Sequence, residues 1–197
     1  MEILFGDKYY DTDKWAPGKF QKETQKEIEN IGIRGNIYDE NIQQGADWPV
    51  VLAELFYDID WGPFSKITLF GLIFLSGKKI NENLEAWAHI WDKIKTLFNR
   101  IQPSRIDEKT AFIFGIDYLK SQYNIDRFLD STIQICVYNT NPNYDKSILH
   151  RPDALYLMKI VTPEHIHILG VKSNKKIVIE KKIKKAWYAF IDEEREG

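Results

Sequence analysis

The stretch from Trp48 to Ile101, WPVVLAELFYDIDWGPFSKITLFGLIFLSGKKINENLEAWAHIWDKIKTLFNRI, carries the strongest hydrophobic periodicity in the chain. In its second half Ile80, Leu84, Trp87, Trp91, Ile94, Phe98 and Ile101 recur at alternating steps of four and three, the apolar stripe of an amphipathic helix. Glu82, Glu85, Asp92, Lys93, Lys95 and Arg100 fall off that stripe and face water. Upstream, Ile67 to Leu75 is apolar apart from Thr68 and Gly71, with Ser65 placed as an N-cap and Gly77 as a C-terminal cap, which predicts a short helix buried on all sides. Asp47 followed by Trp48-Pro49 resembles a capped helix start, so Val50 to Tyr57 is predicted helical until Trp61-Gly62-Pro63 breaks it. The central prediction is therefore a buried helical hairpin.

The flanks are read outward from it. Toward the N-terminus, Glu2 to Phe5 suggests a short strand, and an irregular segment follows to Ala16-Pro17-Gly18. Phe20, Thr24, Ile28 and Ile31 then give a helix one weakly apolar face, with Gly32 closing it. From Ile33 to Ala46 glycine and asparagine break every pattern, which predicts a loop. Toward the C-terminus, Pro103-Ser104 interrupts the chain, and Asp107 caps a helix to about Gln122 with Ala111, Phe114, Gly115, Tyr118 and Leu119 inward. Gly115 permits close approach to that helix.

Beyond Asn124 the period becomes alternating. Ile133, Ile135 and Val137 mark a strand, and Ala154 to Val161, His165 to Val171 and Ile177 to Ile183 mark three more. The short connections Thr162-Pro163-Glu164 and Lys172 to Lys175 predict an antiparallel meander. Ile183, Ala186, Trp187, Phe190 and Ile191 space as a terminal helix over one sheet face. The fold expectation is α+β: a mainly helical N-terminal two-thirds, then a C-terminal antiparallel meander of about four strands capped by a helix. One domain over 1–197 is expected, with a sub-boundary near 125 as the alternative division.

Composition bounds the function. The 197 residues are 44% hydrophobic, enough for a sizeable core, and 27 basic against 29 acidic residues leave a net charge of −2. No whole-molecule field points to nucleic acid or membrane. A single cysteine, Cys136, excludes an intrachain disulfide and a cysteine-based zinc site, which fits a cytoplasmic protein, and it reads as a structural thiol. Met1 to Asp7 lacks a basic n-region and does not read as a signal peptide. The uncharged run from Ile67 to Gly77 would make a helix of roughly 17 Å, short of the roughly 30 Å a bilayer core demands. That run is either core or interface.

Four groups of residues could carry chemistry. Pro152-Asp153 entering one strand and Glu180-Lys181-Lys182 on another resemble the metal-ligand arrangement of restriction-type nucleases. The resemblance implies Asp153 and Glu180 holding Mg²⁺ against a scissile phosphate while Lys182 stabilises or deprotonates the attacking water. It covers only these positions, and the intervening strand from His165 departs from the usual adjacency. His165 and His167, alternating on a strand beside Glu164, could ligate a metal with help from His150 or Asp153. Glu54, Asp58 and Asp60 gather acids near one another but have no histidine partner of the di-metal type. Lys172, Lys175, Lys176, Lys181, Lys182, Lys184 and Lys185 form a basic run broken by one acid, Glu180. Such a run attracts an acidic protein or, weakly and without sequence preference, nucleic acid.

There is no nucleophile elbow and no glycine-rich phosphate loop. The expected function is a non-enzymatic protein-interaction or regulatory module, acting through an aromatic-rich helical and sheet surface or by self-association, with no cofactor. Trp15, Trp48 and Trp61, in or beside turns, are its expected anchors together with the lysine run. The alternative is the Mg²⁺-dependent phosphodiesterase. Neither reading includes a transmembrane span.

Overall fold

The computed structural model describes residues 1–6, 18–40, 50–56, 72–101, 103–137 and 154–185. Its strands are β1 (Glu2–Gly6), β2 (Arg34–Glu40), β3 (Val50–Phe56), β4 (Leu72–Ser76), β5 (Pro103–Ile106), β6 (Asp130–Val137), β7 (Ala154–Val161), β8 (His165–Lys172) and β9 (Ile177–Lys184), and its helices are α1 (Lys19–Asn30), α2 (Gly77–Arg100) and α3 (Glu108–Tyr123). The strands form two antiparallel sheets, ordered β2-β3-β1-β5 and β4-β6-β7-β8-β9. The class is α+β, but the expectation of a mainly helical N-terminal two-thirds is overturned, because five strands precede Asp107 and the two long helices lie mid-chain.

Several local readings change, each for a physical reason, and Pro103-Ser104, read as an interruption, opens the strand β5. Val50–Phe56 is not a helix but the inner strand β3, paired with β1 on one side and β2 on the other. A segment this short gains little as a helix, and two flanking ladders bond its backbone completely. The expected loop from Ile33 contains β2, where Gly35 lets the strand approach β3: a Cβ there would sit 2.5 Å from the Glu54 carbonyl oxygen. Within the expected buried helix, Leu72–Ser76 is the strand β4 paired with β6. A short continuous apolar run suits a buried strand as well as a helix.

Gly77 does not end a helix there. It begins α2, with Ser76 as the N-cap accepting from the Lys79 amide at 3.5 Å. The glycine is required because a Cβ would lie 2.4 Å from backbone atoms of Phe128 and Leu129.

The helices after that follow the sequence. Ile80, Trp87, Trp91 and Ile94 of α2 are buried, joined by Ile90 and Leu97. Trp87 meets Phe112 edge-on with centroids 5.5 Å apart, and Trp91 meets Phe98 at 5.9 Å. Asp107 caps α3: its Oδ1 accepts from the Thr110 amide (2.8 Å) and hydroxyl (2.6 Å), while Oδ2 accepts from the Glu2 amide (2.9 Å). One carboxylate thus ties the helix start to β1. Gly115 brings α3 down onto the second sheet, since a Cβ there would be 3.0 Å from the Met158 side chain.

A contiguous apolar cluster runs from Ile3, Phe5, Ala53 and Leu55 of the first sheet through α2 and α3 to Met158, Ile160, Leu169 and Val171 of the second. The expected meander is present as β6-β7-β8-β9, with β4 added at its far edge. The expected terminal helix begins instead inside β9, which holds Ile183, and its remaining positions lie outside the described residues. Among the described residues no helix is long and apolar enough to cross a membrane.

Candidate functional site on the last two strands

The hairpin β8–β9 carries most of the residues that the sequence marks as chemical. His165, His167, Leu169 and their partners Lys184, Lys182 and Glu180 stand opposite one another in register. Alternation places Glu180, Lys182 and Lys184 on the sheet face that α3 covers, and Lys181 with Ile179 and Ile183 on the other.

On the helix side, Glu180 is held by two tyrosines of α3. The Tyr118 hydroxyl donates to its Oε2 at 2.8 Å and the Tyr123 hydroxyl to its Oε1 at 2.7 Å. These bonds, Tyr123 first, hold the Glu180 carboxyl below its ordinary range, with His167 contributing. The same bonds raise both phenols above theirs. The Lys182 ammonium lies over the Tyr123 ring, 4.5 Å from its centroid, and the His167 ring is 5.0 Å from the same ring.

His165 and His167 share a face as expected, with rings 6.0 Å apart. His167 is only 2% exposed, and burial foremost, then Lys182 and His165, pushes its pKa below the ordinary value. Its imidazole is neutral at neutral pH. The His165 Nδ1 is 3.8 Å from Glu164 Oε2. Among the described residues no three His, Cys, Asp or Glu side chains are grouped to hold a metal ion.

Between this face and the chain leaving α3 lies a cavity of about 250 Å³. Asn124, in the left-handed conformation at φ 48°, ends α3 and turns the backbone into the connector 124–129. That connector is clamped to α2: the Asn81 side chain donates to the Phe128 oxygen (2.9 Å) and accepts from the Phe128 amide (3.0 Å). Arg127 thereby reaches the same cavity as His165, His167 and Lys182.

The lysine run divides. Lys172, Lys176, Lys181, Lys182 and Lys184 are exposed. Lys175 instead occupies the hairpin turn at φ 67°, with its ammonium 4.1 Å from the Phe98 centroid, and burial lowers its pKa. Lys185 is half-buried just past β9, where its amide donates to the Glu164 oxygen at 2.9 Å.

Asp153, His150, Asp58, Asp60, Trp15, Trp48 and Trp61 lie outside the described residues. Ala154, which follows Asp153, is two strands across and four residues along from the Glu180 position, a backbone separation of roughly 16 Å at ordinary sheet spacings. Glu54 accepts a hydrogen bond from the Tyr38 hydroxyl at 3.2 Å. Cys136 is a half-buried free thiol. The sequence marks Tyr118 only as an inward helix position and does not mark Tyr123 or Arg127; the tyrosines lie 62 and 57 residues before Glu180, and only the fold brings them together.

Compared with family models, with curated proteins and with solved structures, the chain finds no match in any of the three.

Proposed function

We propose that this protein is a non-enzymatic interaction module that takes an extended, acidic segment of a partner protein along the outer edge of β9. The observation that carries the reading is the character of that edge. β9 has eight residues and ends the order of its sheet, with no described strand beyond it. Val178, Ile179 and Ile183 are 42%, 39% and 37% exposed, interleaved with exposed Lys181, Lys182 and Lys184.

The backbone supports the same reading. Because the Lys185 amide points inward to Glu164, antiparallel alternation turns the amides and carbonyls of Lys184, Lys182 and Glu180 outward. An extended peptide bonds to such a row by adding a strand, and its alternate side chains read the two faces. The lysines select the partner. A second copy pairing edge to edge would set lysine against lysine, whereas an acidic segment gains attraction on both faces.

Fluorescence anisotropy with a labelled peptide of alternating Glu and Val tests this. Binding should weaken steeply with salt and survive excess nucleic acid. Lys184→Pro removes an outward amide without touching the β8 ladder and should abolish binding. Equal binding of an alternating Lys and Val peptide, or undiminished binding by Lys184→Pro, would overturn the reading. A concentration-dependent dimer in light scattering, lost in Lys184→Pro, would assign the edge to a second copy instead.

A further inference from the structure

We propose that the cavity between β8, β9 and the connector 124–129 is a binding site for a small organic oxyanion, a phosphate monoester or carboxylate on a compact ring. The site is distinct from the β9 edge, since it is built from side chains on the helix-covered face and not from outward backbone groups.

The cavity is about 250 Å³, room for a single-ring ligand and too large for a bare ion. Its floor is polar. His167 is nine-tenths buried and more, and among the described residues its ring nitrogens find no hydrogen-bond partner. His167 lines the cavity, and a ligand oxygen entering there would receive the imidazole N–H.

The rim supplies cations from two elements. Lys182 projects from β9, positioned by the Tyr123 ring beneath its ammonium. Arg127 comes from the connector that the Asn81 clamp fixes to α2. Neither has an ion-pair partner among the described residues. The carboxylate nearest Lys182 in sequence, Glu180, is occupied on both oxygens by Tyr118 and Tyr123. The acids that share the rim, Asp126 and Glu164, are exposed, and Glu164 is 82% so at its side chain. They oppose a free anion at the mouth but not one seated against His167. The walls are the Tyr123 and His165 rings with Pro163 and Ile125, surfaces on which a flat ring packs.

The test is titration of the intact chain with phenyl phosphate, benzoate and inorganic phosphate, read through the imidazole resonances of His165 and His167. Phenyl phosphate or benzoate should shift both resonances saturably, and inorganic phosphate should bind at least about tenfold more weakly for want of the ring contact. Lys182→Met and Arg127→Met should each weaken binding about tenfold, the loss of one charge-assisted contact. Lys176→Met, on the hairpin turn, should change nothing. Because Met keeps the aliphatic stem, folding should be preserved, and an unchanged amide spectrum away from the cavity would verify it. Absence of saturable shifts at His165 and His167, or unaltered affinity in both charge variants, would overturn the proposal. Tighter binding by inorganic phosphate than by phenyl phosphate would also overturn it, because a plain anion patch would then suffice.

Discussion

Replacing Gly77 by Ala puts a methyl group where the fold has no room. A Cβ at this position would lie 2.4 Å from the carbonyl carbon and oxygen of Leu129 and from the carbonyl oxygen of Phe128, about 1 Å inside ordinary contact. All of these are backbone atoms, so no side-chain rotation relieves the clash. The start of α2 and the connector must separate. Separation strains the bond from the Gly77 amide to the Leu129 oxygen (3.0 Å) and the two bonds of the Asn81 clamp (2.9 and 3.0 Å). Overpacking of this kind costs about 1–3 kcal/mol, and each hydrogen bond lost adds about 0.5–1.5 kcal/mol. The better helix propensity of Ala returns about 1 kcal/mol at most. The net expectation, with all three bonds lost, is about 1.5–6.5 kcal/mol, which at a slope near 2 kcal/mol per molar moves a urea midpoint by about 0.8–3.3 M. Asn81→Ala, which removes the clamp without the clash, should lose about 1–3 kcal/mol. A Gly77→Ala midpoint equal to the parent's would refute the packing of α2 against the connector, and with it the placement of Arg127 at the cavity.

Trp87 is 2% exposed and packs edge-on against Phe112, so Trp87→Ala should cost about 3–5 kcal/mol; a variant that melts like the parent would remove α2 from the core. His167 has a lowered pKa in the folded chain, so on acidification the unfolded chain takes up its proton first. Stability should therefore fall as pH drops below the ordinary value of 6.5 and level off beneath the folded pKa, and His167→Gln should remove that part of the slope. A slope identical in parent and variant would show that His167 is not buried. Tyr123→Phe should raise the Glu180 carboxyl toward its ordinary range, seen in a carbon-detected titration, since the Tyr123 hydroxyl is the first cause of its depression. An unmoved titration would dismiss the tyrosine clamp.

How far the fold is legible depends on where the determining contacts lie. α2 declares itself in an apolar stripe that no strand could use, and α3 in the Asp107 cap, a bond closed within three residues. The meander is legible because its turns are short and its strands alternate. β2, β3 and β4 are not, for their helical or loop-like sequences acquire strand geometry only from ladders to distant partners, as when Ala53 pairs with Ile3 on one side and Ile37 on the other. Gly77 is ambiguous in the same way: glycine suits a helix end, and only the nearness of Phe128 and Leu129 reveals that it opens one.

The site divides along the same line. Spacing alone places His165 and His167 on one face of a strand and puts Glu180 and Lys182 on a later strand; the register sets Lys182 opposite His167 and Glu180 opposite Leu169. Their setting is not legible from spacing, because Tyr118, Tyr123 and Arg127 arrive from α3 and its connector. Nothing in a helix carrying half-buried tyrosines announces that both hydroxyls will end on one carboxylate.

Amide hydrogen exchange along β9, with and without the alternating Glu and Val peptide, tests the central claim most directly. In the free protein the inward amides of Lys181, Ile183 and Lys185 should be protected and the outward amides of Glu180, Lys182 and Lys184 should exchange rapidly. Saturating peptide should slow the outward set at least about tenfold, as expected when a strand adds to the edge. Outward amides that exchange equally fast with and without bound peptide would contradict the account, for the peptide would then be held elsewhere than on the edge of β9.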